Sequence, residues 1–551
     1  MTTSTNTGAA LPTTCDVLIV GAGFGGLYML HKLRQLGFDA HVIEAAAGVG
    51  GTWYWNRYPG ARCDIESIQY SYSFDDELQQ EWNWSERYAA QPEILAYAEH
   101  VADRFGLRSG ITFSTRVTAT TYDAARNLWM IDTDRGAQVN ARFCIAAVGC
   151  LSTPQVPSWP GVENFAGEIY HPGAWPHEGV DLRGKRVAVI GTGSSGIQII
   201  SAIADEVEHL TVFQRTPTFA FPAHNRPLSP EDLAAAKARY SEIREAARRA
   251  PQGRAFATEG RPLLGDTPDQ RDEVLRRYWA MGGLDFTKAY DDISSVLEAD
   301  AVAADFVRDR ISEVVQDPAK REVLLPRGHP ISAKRPCLEI NYFASFNRPN
   351  VEIVDVRANP IVEVTATGIR TTAATHDVDV IIVATGYDAM TGTLLRLGVV
   401  GRDGVALTEA WAAGPRTYLG VLVDGFPNFF IVAGPGSPSV FSNVILAIEQ
   451  HVDWISDLLT FARSAEADLV EADPAAAQEW TAHVTDIGER TFLSLGNSWY
   501  RGANIPGKPQ VVMPYVGGTH VYRDKCDAVA AAGYPGVSIS RHRGATVLPQ
   551  T

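Results

Sequence analysis

A glycine-rich turn between an apolar strand and an apolar helix occurs twice in this chain, and that repetition restricts its fold more than any other feature. The first copy is Gly21-Ala22-Gly23-Phe24-Gly25-Gly26, preceded by Val17-Leu18-Ile19-Val20 and followed by Leu27, Leu30 and Leu33 at helical spacing. The second is Gly191-Thr192-Gly193-Ser194-Ser195-Gly196, preceded by Arg186-Val187-Ala188-Val189-Ile190 and followed by Ile197, Ile199 and Ile200. Short, continuous apolar strands belong to parallel sheets covered on both faces. In each copy the first glycine allows a tight turn and the second lets backbone approach a pyrophosphate. The third lets helix and strand pack closely. Free amides and the positive dipole end of the helix attract the phosphates, beside Ser194 and Ser195 in the second copy. The expected fold class is α/β, with two Rossmann-like dinucleotide-binding domains.

The glycines alone are also compatible with a turn that binds nothing, so the residues that follow matter. After the first copy, the strand Ala40–Ile43 ends in Glu44, 23 residues beyond Gly21, where a carboxylate accepts from ribose hydroxyls. That pocket suits FAD, and on physical grounds it suits NAD equally. After the second copy, a strand leads into Gln214-Arg215-Thr216 with no acid. Arg215 pairs with a 2′-phosphate and Thr216 donates to it, so this site reads as NADPH; a plain surface arginine is the alternative. Two sites of different preference imply hydride transfer from a nicotinamide to a flavin.

With 551 residues, 45% of them hydrophobic, the chain exceeds one core. The expected division is an FAD-binding domain in two parts, 1–154 and 389–551, around an NADPH-binding domain at 155–388. The apolar runs 143–149 and 380–388 read as returning strands of the two sheets. Within the second domain, 225–335 changes character. Ser229-Pro230-Glu231-Asp232 supplies an N-cap, an N1 proline and first-turn acids. The run 234–249 is rich in Ala, Arg and Glu, and helical patterns follow at 270–281 and 301–315, giving an inserted helical subdomain.

A net charge of -16 disfavours nucleic-acid and anionic-membrane partners. Six cysteines, at 15, 63, 144, 150, 337 and 526, show no metal-ligand spacing, so no metal is expected. They read as reduced thiols of a cytoplasmic protein. The first fourteen residues read as a short disordered arm without signal-peptide character, and no run reaches membrane-helix length. A monomer or weak homo-oligomer is expected.

Further runs carry a resemblance. Gly50-Gly51-Thr52-Trp53-Tyr54-Trp55-Asn56-Arg57-Tyr58-Pro59-Gly60-Ala61-Arg62-Cys63-Asp64 resembles the flavin-side signature of type I Baeyer–Villiger monooxygenases. Phe165-Ala166-Gly167-Glu168-Ile169-Tyr170-His171-Pro172-Gly173-Ala174-Trp175-Pro176 is similar to their fingerprint, F-x-G-x-x-x-H-x-x-x-W-P, and related N-hydroxylating enzymes end that run in Tyr or Phe. The resemblance extends from about residue 16 to about residue 534, nearest to the phenylacetone and steroid monooxygenase branch.

It implies that NADPH reduces FAD and that the reduced flavin with O2 gives a C4a-peroxyflavin. This attacks a ketone, and an ester or lactone and water are released. A fixed cation in a dry pocket stabilises the negative charge, which suits arginine. The matching residue is Arg335, with Asp64 as the carboxylate that orients it; such a pair can also be purely structural. The resemblance assigns Gly51, Thr52 and Trp53 to the flavin side, with Tyr58 shaping the same pocket. It sets Lys334 beside Arg215 and Thr216, and Trp499 on a loop over NADPH. It gives Val440, Phe441 and Leu446 to the substrate pocket. For Phe165, Gly167, His171 and Trp175, next to the Pro-rich linker 154–160, a hinge or coupling role is expected ahead of general-base catalysis. The competing functions are a flavin N- or S-oxygenase and a non-catalytic flavin redox sensor.

Overall fold

A computed structural model of the chain describes residues 8–542. Each of its two largest sheets grows around one of the glycine-rich turns. In the first, Thr14–Val20 lies between Ala40–Ile43 and Gln138–Ala146, all parallel, with Ile19 opposite Val42 on one side and Ile145 on the other. Leu128–Thr133 and Val117–Asp123 extend this sheet as an antiparallel ribbon, and Val399–Val400 closes the edge. Phe429–Ile431 pairs with the end of Gln138–Ala146, so the sheet draws on both early and late parts of the chain. The second sheet runs in the order Val351–Asp355, His209–Gln214, Arg186–Ile190, Val380–Val383, Glu168–Tyr170, and every pair is parallel.

Burial accounts for the sequence patterns. Val17, Leu18, Ile19, Val187, Ala188 and Val189 are fully buried, as expected where both faces of a sheet are covered. The helices Phe24–Gln35 and Val444–Ser464 pack against one another beside the first sheet. Val117–Asp123 instead alternates between buried and more accessible positions, the mark of a strand with one wet face. This antiparallel ribbon was not foreseen from the sequence.

The expected disordered arm does not hold where it is described. Ala9 N donates to the Ile111 carbonyl at 2.8 Å, Thr112 Oγ1 donates to the Ala9 carbonyl at 3.0 Å, and Thr14 already belongs to a strand. The sheet edge offers partners to this segment, and backbone groups take them. Residues 1–7 of that expectation lie outside the described residues.

Between the halves of the second sheet stand the helices Pro230–Ala238, Tyr240–Arg249, Pro268–Met281, Leu297–Val314 and Pro318–Leu324. Ser229 caps the first: its Oγ accepts from Asp232 N at 3.1 Å, and Asp232 accepts from Ser229 N at 3.1 Å. The run 234–249 divides at Arg239. Beyond the break, buried Arg244 is drawn inward to Ser71 Oγ at 2.7 Å and Gln79 Oε1 at 3.0 Å. All six cysteines are unpaired, four of them buried. Among the described residues no helix is long and apolar enough to cross a membrane.

Candidate active site

The two glycine-rich turns are built alike. A Cβ on Gly26 would lie 1.8 Å from the Gly21 carbonyl oxygen, and one on Gly196 would lie 2.1 Å from that of Gly191. Each first glycine sits against the end of its returning strand. An added Cβ would come 2.7 Å from the Ala147 oxygen at Gly21 and 2.4 Å from the Ala384 oxygen at Gly191.

At the first turn, Gly23 faces Gly51; a Cβ on Gly51 would lie 2.9 Å from the Gly23 Cα, so a side chain there would fill the cradle. Glu44 is buried, with its two oxygens accepting from Ala22 N at 2.6 Å and Ala46 N at 2.7 Å. Burial pushes its pKa up, opposed by those amides and by Arg116. A carboxylate has about four acceptor positions, so capacity remains for ribose hydroxyls. Thr52 is exposed at the start of the short helix Thr52–Trp55, and buried Trp53 donates to Tyr70 OH at 3.1 Å. These residues fit a dinucleotide.

At the second turn, a Cβ on Gly193 would meet nothing within 4 Å, so the ground above the helix Ser194–Ile203 is open. Exposed Ser194 contacts Cys337 Sγ at 3.3 Å. Arg215 is exposed and Lys334 half-buried, and neither has a carboxylate partner among the described residues. Burial, then the charges of Arg215 and Arg357, lower the Lys334 pKa. Uncompensated cations crowding one another make a site for an anion, which fits a nucleotide carrying a 2′-phosphate. Thr216 stands beside Arg215, its carbonyl accepting from Thr192 Oγ1 at 3.4 Å. Arg357 was not singled out in the sequence; it follows the strand next to His209–Gln214, where Val356 N donates to the Gln214 carbonyl at 3.0 Å.

The segment 50–64 joins the two turns. It begins at Gly51 against Gly23. Tyr58 OH then donates to Gln198 Oε1 at 2.8 Å, on the helix of the second turn. Tyr58, expected to shape the flavin pocket, thus packs in the core of the second sheet. The segment ends at Asp64. Arg335 Nε and Nη2 meet the two Asp64 oxygens at 2.9 and 2.7 Å, while Nη1 donates to the Val440 carbonyl at 3.0 Å and Tyr500 OH at 3.3 Å. Burial alone would lower the arginine's pKa, but Asp64 and then Tyr500 hold it well above the ordinary value. The result is a fixed cation between the two turns. Tyr500 closes the run Asn497-Ser498-Trp499-Tyr500, which shares in the resemblance without a role for the tyrosine, and Val440 contributes its backbone oxygen, so neither contact was legible in the sequence.

Phe441 packs its ring 5.6 Å from that of Tyr500, and Trp499 packs at 3.9 Å from the same ring. Leu446 is buried in the helix after this turn, close to Gly253 of the helical region. The fingerprint run lies elsewhere. His171 Nε2 contacts the Gly386 carbonyl at 3.2 Å and its Nδ1 accepts from Gly173 N at 3.0 Å, so both ring nitrogens are occupied. Burial lowers its pKa and keeps the ring neutral. Gly386 also accepts from Gln155 N at 2.9 Å, so the two crossings between the sheets run side by side at His171. Trp175 is buried against Tyr170, and Phe165 and Gly167 pack at the foot of the second sheet.

Comparison with known proteins places this geometry in context. Residues 18–244 match the family model described as pyridine nucleotide-disulphide oxidoreductase. A Baeyer-Villiger monooxygenase of Pseudooceanicola batsensis is 40% identical over 534 residues, 96% of this chain and 97% of that protein. A phenazine N-monooxygenase of Lysobacter antibioticus is 39% identical over 525 residues, 95% of this chain and 96% of that protein. The solved structure of an oxidized steroid monooxygenase bound to NADP is 48% identical with a TM-score of 0.92, covering 96% of this chain and 100% of its own. The complex of OTEMO with FAD and NADP is 38% identical with a TM-score of 0.92, covering 96% and 99%.

Proposed function

This chain belongs to the Baeyer–Villiger monooxygenases, and from that premise we propose that Arg335, oriented by Asp64, is the cation on which its chemistry turns. The enzyme uses FAD and NADPH to insert one atom of O2 beside a ketone carbonyl, giving an ester or lactone. When bound, NADPH supplies hydride and FAD supplies the activation of O2. Gly21, Gly23, Gly26, Glu44, Gly51, Thr52 and Trp53 would hold FAD. Gly191, Gly193, Ser194, Ser195 and Gly196 would hold the NADPH pyrophosphate, and Arg215, Thr216 and Lys334 its 2′-phosphate, with Trp499 over the nicotinamide end.

The observation that carries the role of Arg335 is its half-buried, two-pronged pairing with Asp64 at the junction of the two turns. There the guanidinium stays charged and would face developing negative charge on the ketone oxygen. Val440, Phe441 and Leu446 would shape the ketone side. Phe165, Gly167, His171 and Trp175 would couple the domains: both His171 nitrogens are engaged at the crossings, which leaves no free base. The sheet composition supports the division 1–154 and 389–551 for FAD, and 155–388 for NADPH with 225–335 as its helical insert. Unpaired thiols and net charge support a cytoplasmic monomer or weak homo-oligomer.

The test is a panel of linear, cyclic, aryl and steroid ketones. Expected is ketone-stimulated NADPH consumption matched by ester or lactone, identified by product mass. NADPH oxidation yielding only hydrogen peroxide with every ketone would overturn the reading. A second reading, oxygenation of an aromatic nitrogen, is favoured by the phenazine N-monooxygenase relative. Phenazine in the same assay decides it: N-oxide without ester would replace the first reading.

A further inference from the structure

Arg335 has five N–H donors, and four are engaged: Nε and one on Nη2 with Asp64, and both on Nη1 with the Val440 carbonyl and Tyr500 OH. Asp64 holds the rigid, planar guanidinium along one edge only, about which the group can still tilt. The far corner, Nη1, is held from the opposite side of the site, by the turn at 440 and the loop at 500.

Tyr500 is well placed for that task. It is 2% exposed, in the short helix Trp499–Arg501. Its backbone is pinned at both ends, Tyr500 N donating to Ser498 Oγ at 3.3 Å and Met513 N donating to its carbonyl at 3.0 Å. Its ring is wedged between Trp499 and Phe441. Burial raises its pKa, so the phenol stays neutral and accepts from the guanidinium. Its own hydroxyl proton has no acceptor among the described residues. A buried hydroxyl with a free proton costs free energy, so its presence beside this half-buried cation calls for an explanation.

We infer that Tyr500 is a positioning residue for Arg335: its hydroxyl and the Val440 carbonyl together hold Nη1, leaving the unpartnered N–H of Nη2 for the oxygen on which charge develops. This rests on the Baeyer–Villiger reading above. Phe441 and the turn at 440 border both the ketone side and this clamp, so substrate shape and Arg335 position are linked through Tyr500.

The test compares Tyr500→Phe, which keeps the ring and loses only the hydroxyl, with the native enzyme carrying FAD. Three quantities are measured: ester formed per NADPH, the anaerobic rate of flavin reduction by NADPH, and NADP+ affinity by titration. Expected is a fall in ester-forming kcat of about tenfold, with a matching rise in the share of NADPH lost to hydrogen peroxide. Flavin reduction, NADP+ affinity and the KM for ketone stay within about twofold. Equal loss in all three would mean a packing role and overturn the proposal, as would native coupling in the Phe variant. If the Phe variant does not retain FAD, 3-fluorotyrosine at position 500 replaces it: ring and hydroxyl stay in place while the oxygen becomes a weaker acceptor, so the share of NADPH lost to hydrogen peroxide has to rise, and native coupling overturns the proposal. Absence of ester from the native enzyme would instead count against the Baeyer–Villiger reading.

Discussion

Arg335 and Arg215 are both cations of the candidate site, yet the structure uses them differently. Arg335 is locked by Asp64, Val440 and Tyr500, so its charge is directed at one place. Replacing it by alanine removes the charge and leaves Asp64 half-buried without its partner, at some cost in stability. The expected outcome for Arg335→Ala is retained FAD and flavin reduction by NADPH, with ester formation reduced by roughly a thousandfold. Product mass and anaerobic stopped-flow spectra check it; unchanged ester turnover would contradict the assigned role. Arg215 is exposed and, among the described residues, without a carboxylate partner, the condition of a residue awaiting an anion. Arg215→Ala should raise the KM for NADPH by roughly 10- to 100-fold and change that for NADH little, narrowing the preference between the two. Arg215 was legible because it follows a recognisable strand and replaces an expected acid. Tyr500 and Arg357 were not: the run that ends in Tyr500 resembles the family without saying what the tyrosine touches, and nothing local marks an arginine after a peripheral strand.

At the scale of elements, the turns are the most constrained pieces. Gly26 and Gly196 are packed so tightly on Gly21 and Gly191 that a methyl group would press on backbone. A different element, the turn Ile331–Ala333, places Lys334 and Arg335 and is tied to the helix Leu297–Val314 by Asp300, which accepts from Ile331 N at 2.9 Å. Burial pushes the Asp300 carboxyl up from 3.8 to about 6. The folded state therefore holds this proton more tightly than the unfolded chain. Stability from the group is complete below about pH 4 and is lost as pH rises through about 6. Asp300→Asn keeps the acceptor and cannot ionise. It should remove this loss, adding up to about 3 kcal/mol at pH 7.5 relative to pH 4. Melting temperatures of both proteins across that range test it; parallel curves would count against the shift.

At the scale of the whole molecule, buried histidines set the response to acid. His451 accepts from Ala433 N at 2.9 Å on Nδ1 and meets Tyr522 OH at 2.7 Å on Nε2, and burial pushes its pKa down to about 3. Burial likewise takes His41 to about 4. Both stay neutral in the fold while the unfolded chain protonates near 6.5, so their contribution is present above pH 6.5 and lost as pH falls toward 4. Asp300 acts in the opposite sense between pH 4 and 6, but two groups outweigh one. From these three groups together, stability should drop by about 2 kcal/mol between pH 6.5 and 5, read as the difference in urea midpoint between the native protein and a His41→Gln, His451→Gln, Asp300→Asn variant. A difference constant across that interval would contradict it.

The spacing of glycines, the apolar strands before them and the residues after them determined the two dinucleotide folds and marked the second for NADPH, while leaving the first open between FAD and NAD. These are local properties, set by backbone conformation and by charge within a few residues of a turn. The sequence also marked Asp64 and Arg335 through family resemblance. Only the tertiary structure decided what else holds Arg335, because Val440 and Tyr500 are brought to it by packing across two sheets. One of those partners is a carbonyl that any residue would supply, and the other is a tyrosine whose neighbours in sequence do not reveal its contact. Contacts made over hundreds of residues leave no periodic trace in the chain, and that is where the site acquired its geometry.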